Sequence, residues 1–293
     1  RAGDTVVVRG GTYYQPKPLQ IGTSGASYAW ITIRAYTGER PIVDGGSYSE
    51  DTSCVILAGD YIVFSGFEVR HSPRGGVTVW GASHVVVHDN VVHDCQRAGI
   101  YVGYNAMSKM RDVVIDGNVV YRTCLSNDPV PEGAGSGWPS GIGVFFVDGA
   151  IVSNNRVYEN YGEGIIFGLM NDGEAFGNTV YDNYSVAMYI DNARDVAYHG
   201  NFIYSTGKTE FYRYGAPATG IQIANETYEF SNRSERITIF NNLIVGARKG
   251  IAYGGYQEGG GLRFVSIVHN TVCDGVEAYL SVDEDEGQTD TEI

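Results

Sequence analysis

Short apolar runs broken by glycine and asparagine fill this chain, and within each run the side chains divide between two faces at a period of 2. Val85-Val-Val87 and Gly99-Ile-Tyr-Val102 are examples. No helical period persists over a useful length. The runs also recur. The stretch Val152-Ser-Asn-Asn155-Arg-Val157 to Phe167 superposes on Ala175-Phe-Gly-Asn178-Thr-Val180 to Ile190 with a shift of 23 residues. The two match in Asn155/Asn178, Val157/Val180, Tyr158/Tyr181, Glu159/Asp182, Asn160/Asn183 and Tyr161/Tyr184.

The same template of an apolar residue, two spacers, Asn, one spacer, then Val or Ile returns at Asn90, Asn118, Asn201, Asn242 and Asn270. Successive asparagines are separated by 28, 37, 23, 23, 41 and 28 residues, a unit of 23 with insertions. One such unit cannot bury its own apolar face and must stack on the next, which makes a solenoid. Three short strands per unit with a turn at the Asn predict an all-β fold, a single-stranded right-handed parallel β-helix with an asparagine ladder. Counting Gly11, Tyr36 and Phe67 as degenerate ladder positions gives about ten turns, a rod on the order of 45–50 Å long. At a tight inward turn the Asn amide reaches its own backbone and the equivalent Asn above and below, which gives buried polar groups partners.

The repeat runs nearly end to end, so residues 1–293 read as a single domain, with 281–293 an acidic tail. No apolar run of about 18 residues and no leader-like opening are visible, so no membrane is expected as partner. A net charge of −14 argues against nucleic acid and anionic surfaces, and against a polyanionic glycan unless a cation intervenes. Four cysteines do not make a disulfide scaffold. Cys95 and Cys124 nevertheless fall nearly one above the other, as a bridge or as stacked thiols. Asn225-Glu-Thr227 and Asn232-Arg-Ser234 are glycosylation sequons.

The opening Arg1-Ala-Gly-Asp-Thr-Val-Val-Val-Arg-Gly-Gly-Thr-Tyr-Tyr14, then Trp30-Ile-Thr-Ile-Arg-Ala35 with Asp44-Gly-Gly46, then Asp60-Tyr-Ile-Val-Phe-Ser-Gly-Phe-Glu-Val69, carries a resemblance. It resembles secreted carbohydrate-active β-helix proteins of the pectate-lyase-like superfamily, which includes polysaccharide lyases of the chondroitinase B and alginate lyase type and β-helical glycosidases. In that family a short helix precedes Gly-Asp-Thr and caps the coil, so a trimmed or mature chain is expected here. The resemblance implies a secreted, extracellular or periplasmic monomer whose partner is a polysaccharide or oligosaccharide. It implies a lyase or a glycoside hydrolase, with a non-catalytic glycan-binding or surface-structural protein as the alternative. Fold alone does not choose among these.

Insertions locate the expected site. On the face built from Gly-Ile-x-Val strands, 14 extra residues enter before Gly141 and about ten before Gly220. Further excess lies at 104–110, 225–234 and 256–261. The Asn155 and Asn178 turns between them carry no insertion and are expected to floor a cleft. Glu163, Ile166, Tyr189 and Asp191 point out from that floor or edge it. Tyr161 and Tyr184 stack a coil apart with Glu159 and Asp182 two residues before them, Tyr101 projects from the same face, and Trp138 sits in the first long loop. Aromatic faces beside carboxylates suit a sugar.

Glu163 is the acid expected to matter most, because its position is Val186 a turn later and Ala98 two turns earlier. Hydrolysis needs two carboxylates about 5–10 Å apart. Glu163 opens its strand and Asp191 closes the next, so their backbones stand roughly 15 Å apart. Glu163 with Asp182, or Asp191 with Glu226, are shorter pairs. β-Elimination of a uronate needs instead a base and a cation to neutralise the carboxylate. The calcium-dependent pectate lyases cluster Asp residues near a Lys, and the chondroitinase B type sets a Lys and an Arg on successive turns. Here there is no Asp-Asp pair and no Lys on the floor turns, although Arg74 and Arg97 stack 23 apart and Lys249 falls at a later equivalent position. A divalent cation such as calcium is the cofactor the resemblance implies, with no metal ligand assigned.

Overall fold

The computed structural model describes residues 1–14, 16–48, 51–104, 110–127, 139–227, 233–254, 261–282 and 289–293. The chain coils into three parallel sheets of ten strands each. The first sheet runs from Thr5–Val8 to Arg263–Val268, the second from Gly11–Tyr14 to Thr271–Cys273, and the third from Leu19–Ile21 to Ala278–Val282. The coil is right-handed and has about ten turns.

The period of two sorts side chains between the interior and the outside. In the third sheet Ile100, Ile142, Ile165, Met188, Ile221 and Ile251 pair one to the next and make a buried inner row. Each such side chain contributes about 1.5–3 kcal/mol by leaving water. The neighbouring outer row is Thr78, Tyr101, Gly143, Ile166, Tyr189, Gln222, Ala252 and Ser281.

The seven repeat asparagines form a continuous row. From Asn90 to Asn242 each Nδ2 donates to Oδ1 of the next at 2.9–3.1 Å. Their backbone N–H groups donate to the same oxygens at 2.9–3.1 Å. The residue before each asparagine (Asp89, Gly117, Asn154, Gly177, Gly200, Asn241, His269) sits at φ 55–64°, the left-handed region that favours Gly, Asn and Asp. Phe67 heads the row, its N–H donating to Asn90 Oδ1 at 3.0 Å. In the two turns before it the register places Pro41 and then Gly11 at the equivalent positions; Gly11 stands where the spacing predicts, whereas Tyr36 does not, because residues 36–39 close a turn of their own through Glu39 N–H to Tyr36 O.

A second left-handed column, Asp94, Arg122, Glu159, Asp182, Gly246 and Asp274, ends the second-sheet strands. The recurring turn acids therefore answer a backbone requirement. Tyr121, Tyr158, Tyr181 and Tyr204 stack outside the same sheet with ring centroids 5.1, 4.8 and 4.6 Å apart. Cys95 and Cys124 are buried free thiols. The Asn225 sequon is closed to glycosylation: Asn225 is fully buried and its Nδ2 donates to Tyr253 Oη at 3.1 Å. Asn232 lies outside the described residues. The far end of the acidic tail is docked, with Thr289 and Glu292 bridging in parallel to Arg263 and Ser266.

Candidate functional site

The outer face of the third sheet carries the residues of interest. The insertion-free strands Glu163–Gly168 and Val186–Asp191 pair directly, Ile166 with Tyr189 and Gly168 with Asp191. Glu163 opens the one and Asp191 closes the other, as the spacing predicts. These positions do not floor an open cleft. Glu163 is 5 % exposed, Asp191 1 % and Tyr189 4 %. Ile166, Val186, Tyr189 and Ala224, with Phe145 against them, form an apolar cluster outside the coil and separate from its core.

The cover comes from neighbouring turns folding over the floor instead of standing beside it. The Phe145 ring lies across Gly168, where a Cβ would come within 2.4 Å of a ring carbon, so only glycine fits. The excess after the strand Thr219–Ala224 brings Glu226 back over Tyr189, whose Oη donates to Glu226 Oε1 at 2.5 Å. Glu226 N–H is held by Asn192 Oδ1 at 2.8 Å.

This covering decides the electrostatics. Burial pushes the Glu163 carboxyl well above its usual range, the charges of Asp191 and Glu226 push it further, and Arg213 opposes them. The covering therefore favours the neutral form of Glu163 over its ionised form. Among the charges that act on Glu163, that of Asp191 is the largest. Burial, then Asp191 and Glu226, likewise raises the Tyr189 phenol.

Two open clefts flank the covered ridge. The first, of about 670 Å³, is lined by Arg74, Thr78, Trp80, Arg97, Tyr101 and Phe145 among others. Arg97 N–H donates to Arg74 O at 2.8 Å, and Arg74 pairs with Asp51 at 2.9 Å on the rim. Tyr101 stacks on Phe145 with centroids 5.8 Å apart and folds across Gly103, where a Cβ would sit 2.5 Å from its Oη. Burial raises the Tyr101 phenol and Arg74 moderates the rise.

The second cleft, of about 290 Å³, is lined by Ser185, Arg213, Tyr214, Gln222, Arg248 and Lys249 among others. Residues 205–218, the insertion before Gly220, supply Arg213 and Tyr214 from a tight turn closed by Arg213 and Ala216. Tyr214 at φ 56° and Gly215 at φ 74° make that turn possible. Arg213 Nη1 donates to Ser185 Oγ at 3.1 Å, and the guanidinium stands 5.0 Å over the Tyr214 ring. Arg248 reaches the same ring at 5.8 Å and pairs with Glu277 at 2.7 Å. Lys249 Nζ donates to Ser281 Oγ at 3.1 Å.

The fold thus gathers Glu163, Tyr189, Asp191 and Glu226 in one buried knot, Arg74, Arg97 and Tyr101 in the first cleft, and Lys249 in the second. Asp182, Tyr161 and Tyr184 stand apart on the turn leading into the third sheet. Asp182 braces the next coil, accepting from Thr206 N–H at 2.9 Å and from the Thr206 hydroxyl at 2.5 Å. Tyr161 is packed 5.1 Å from Phe211 of the insertion, and Tyr184 is 7 % exposed, so neither presents the open ring face expected of a sugar platform. Trp138 lies outside the described residues. Trp80, Phe145, Arg213, Tyr214 and Arg248 are cleft residues that the sequence reading did not select. The insertion before Gly220 and the Arg248-Lys249 pair were the available signals. Among the described residues no group of three or more His, Cys, Asp or Glu side chains is placed to hold a metal ion, so calcium finds no ligand set there.

A coil of three parallel sheets with clefts on one outer face defines a right-handed β-helix protein. Residues 1–128 match the family model described as the Pel9A-like right-handed β-helix region, and residues 138–272 match the right-handed β-helix region. Both models describe right-handed β-helix regions, and the chain is similar to the pectate-lyase-like proteins that share them. It is 48 % identical over 44 residues to pectate lyase PEL9 of Emericella nidulans, a match spanning 15 % of this chain and 11 % of that relative. An alginate lyase of Paenibacillus sp. str. FPU-7 superposes at a TM-score of 0.73 with 15 % identity, covering 100 % of this chain and 93 % of that one. PfbA, a surface adhesin of Streptococcus pneumoniae, superposes at 0.64 with 10 % identity, covering 96 % and 85 %. At these identities the structural likenesses show the fold alone. No helix of the described residues is long and apolar enough to cross a membrane.

Proposed function

We propose that this chain is a secreted enzyme that cleaves an acidic polysaccharide by β-elimination, with the reacting sugar in the cleft of Arg213, Tyr214, Arg248 and Lys249. One observation carries this reading: three cationic side chains converge on one small cleft in a protein of net charge −14. A uronate carboxylate seated among them loses its charge to the guanidinium and ammonium groups, which makes the proton on the adjacent ring carbon easier to remove. Tyr214, whose Oη accepts from Arg213 Nη2 at 3.5 Å, takes that proton as the phenolate and becomes the phenol. Lys249 donates a proton to the departing glycosidic oxygen. The carbon–oxygen bond breaks as the ring double bond forms, so no water is consumed.

Glu163 acts on this cleft through Arg213. A protonated carboxyl beside Arg213 leaves the guanidinium charge for the substrate, whereas an ionised one would compete for it. Hydrolysis is disfavoured because the Glu163 and Asp191 pair is covered and offers no opening for sugar and water together. The pectate lyase and alginate lyase likenesses agree with an acidic polymer, and the adhesin likeness keeps simple glycan binding as the second reading.

The test is incubation with polygalacturonate, alginate, a glycosaminoglycan and neutral xylan, assaying unsaturated ends and total reducing ends together. Unsaturated ends from an acidic polymer support the proposal. Reducing ends without unsaturation would make the protein a hydrolase, and binding without either would make it a glycan-holding protein.

A further inference from the structure

The first cleft lies well away from the proposed reacting position. Tyr101, Gly143, Ile166, Tyr189 and Gln222 are successive partners in one outer row, so four strand steps, roughly 19 Å, separate the two clefts along the rod. The covered ridge of Phe145, Ile166 and Tyr189 lies between them. At about 670 Å³ the first cleft is the larger of the two, and its volume is that of a site for several sugar units.

Its lining differs in kind from the second. Trp80, Tyr101 and Phe145 offer aromatic surface to the carbon–hydrogen faces of sugar rings. Arg74 and Arg97 stand one coil apart on the same wall, a spacing that repeats charge along the rod axis as a uronate polymer repeats its carboxylates. Thr78 and Ser53, hydrogen-bonded at 2.8 Å, supply hydroxyls between them. Among its described lining residues the carboxylate and the phenol are both engaged. Asp51 is paired with Arg74, and the Tyr101 phenol is folded against Gly103.

We propose that the cleft of Trp80, Tyr101, Arg74 and Arg97 is a second glycan site, which grips an acidic chain at a distance from the reacting sugar and takes no part in bond cleavage. The proposal rests on the functional reading above only for the acidity of the chain. Its role is to hold a long polymer through successive encounters, so it lowers KM for polymers and leaves short oligomers indifferent.

Trp80 is 43 % exposed and serves as the reporter. Galacturonate and mannuronate oligomers graded in length, with xylo-oligomers as the neutral control, are titrated while tryptophan fluorescence is followed in the wild type and in Trp80→Phe. The expected result is a saturable change with acidic oligomers that Trp80→Phe abolishes, and about tenfold weaker binding in Arg97→Gln. Thermal melting at the wild-type temperature would certify that Arg97→Gln is folded, and Arg74→Gln is the second variant. On a polymer that the wild type cleaves, Arg97→Gln should raise KM about tenfold and leave kcat where it was. No fluorescence change with any acidic oligomer overturns the site, and equal response to xylo-oligomers overturns its acidic preference. A fall in kcat on the shortest oligomers overturns the separation of grip from chemistry. If the wild type cleaves nothing, the functional reading fails while the fluorescence titration still decides this site.

Discussion

The phenol of Tyr189 donates a 2.5 Å hydrogen bond to Oε1 of Glu226, across a register in which Tyr189 points away from the coil and yet is 4 % exposed. An outward-facing tyrosine is thus part of a covered knot. Its removal is a packing and hydrogen-bond loss as much as a surface change.

Tyr189→Phe leaves the Glu226 carboxylate without that donor in a covered site and should destabilise the fold by about 1–3 kcal/mol. Tyr189→Ala adds a cavity and should cost roughly 3 kcal/mol or more. Chemical denaturation measures both. A Tyr189→Ala protein that unfolds at the wild-type midpoint would show the ridge to be open.

Glu163→Gln should change how stability depends on pH. The folded carboxyl titrates well above the usual carboxylate range because burial and then Asp191 disfavour its ionised form. A raised folded pKa means that the stability Glu163 contributes is fully present below the unfolded pKa and is lost as pH rises through the folded pKa. Glutamine carries no such loss, so the variant should gain on wild type as pH rises above about 4, the unfolded value. Parallel stability curves over that range would place Glu163 in water. The variant should also keep most of its turnover, since the environment of Glu163 favours the neutral form that glutamine mimics.

Asn178→Leu removes the acceptor of two bonds from Asn155 and the donor of bonds to Val152 O at 2.8 Å and Asn201 Oδ1 at 3.0 Å. Several buried groups are left unpaired at once, for a cost of about 3–5 kcal/mol. Melting indistinguishable from wild type would mean that the row adds nothing to stability.

Arg213→Gln and Lys249→Met should each lower kcat/KM on the acidic polymer by roughly a hundredfold or more, with unchanged melting. Tyr214→Phe should fall mainly in kcat. Activity within a factor of about two of wild type in all three would move the chemistry out of this cleft.

The coil was legible because its demands are local. A left-handed residue before each inward turn admits few residue types, and Gly117, Asn154, Gly177 and Asn241 display that restriction in the sequence itself. Glu163, Tyr189, Asp191 and Glu226 were legible as positions on one face, since the repeat aligns the third strand of each turn. Their burial was not, because it depends on where Phe145 and Glu226 fold, and no period encodes that. Arg213 and Tyr214 escaped for the same reason. An insertion announces its length in the alignment of turns, but its landing place is set by contacts such as Arg213 with Ser185 and Phe211 with Tyr161.

Because every turn repeats the same backbone register, the interval between the two clefts is a whole number of strand steps. The Asn155 and Asn178 turns are interchangeable in length, each running 23 residues to the next asparagine. Duplicating or excising one such unit would rejoin the asparagine row without a break and shift the clefts apart or together by about 4.8 Å. The solenoid is in this sense a ruler graduated in coils, and a lineage that gained or lost a turn would change the distance between the two clefts without altering either one.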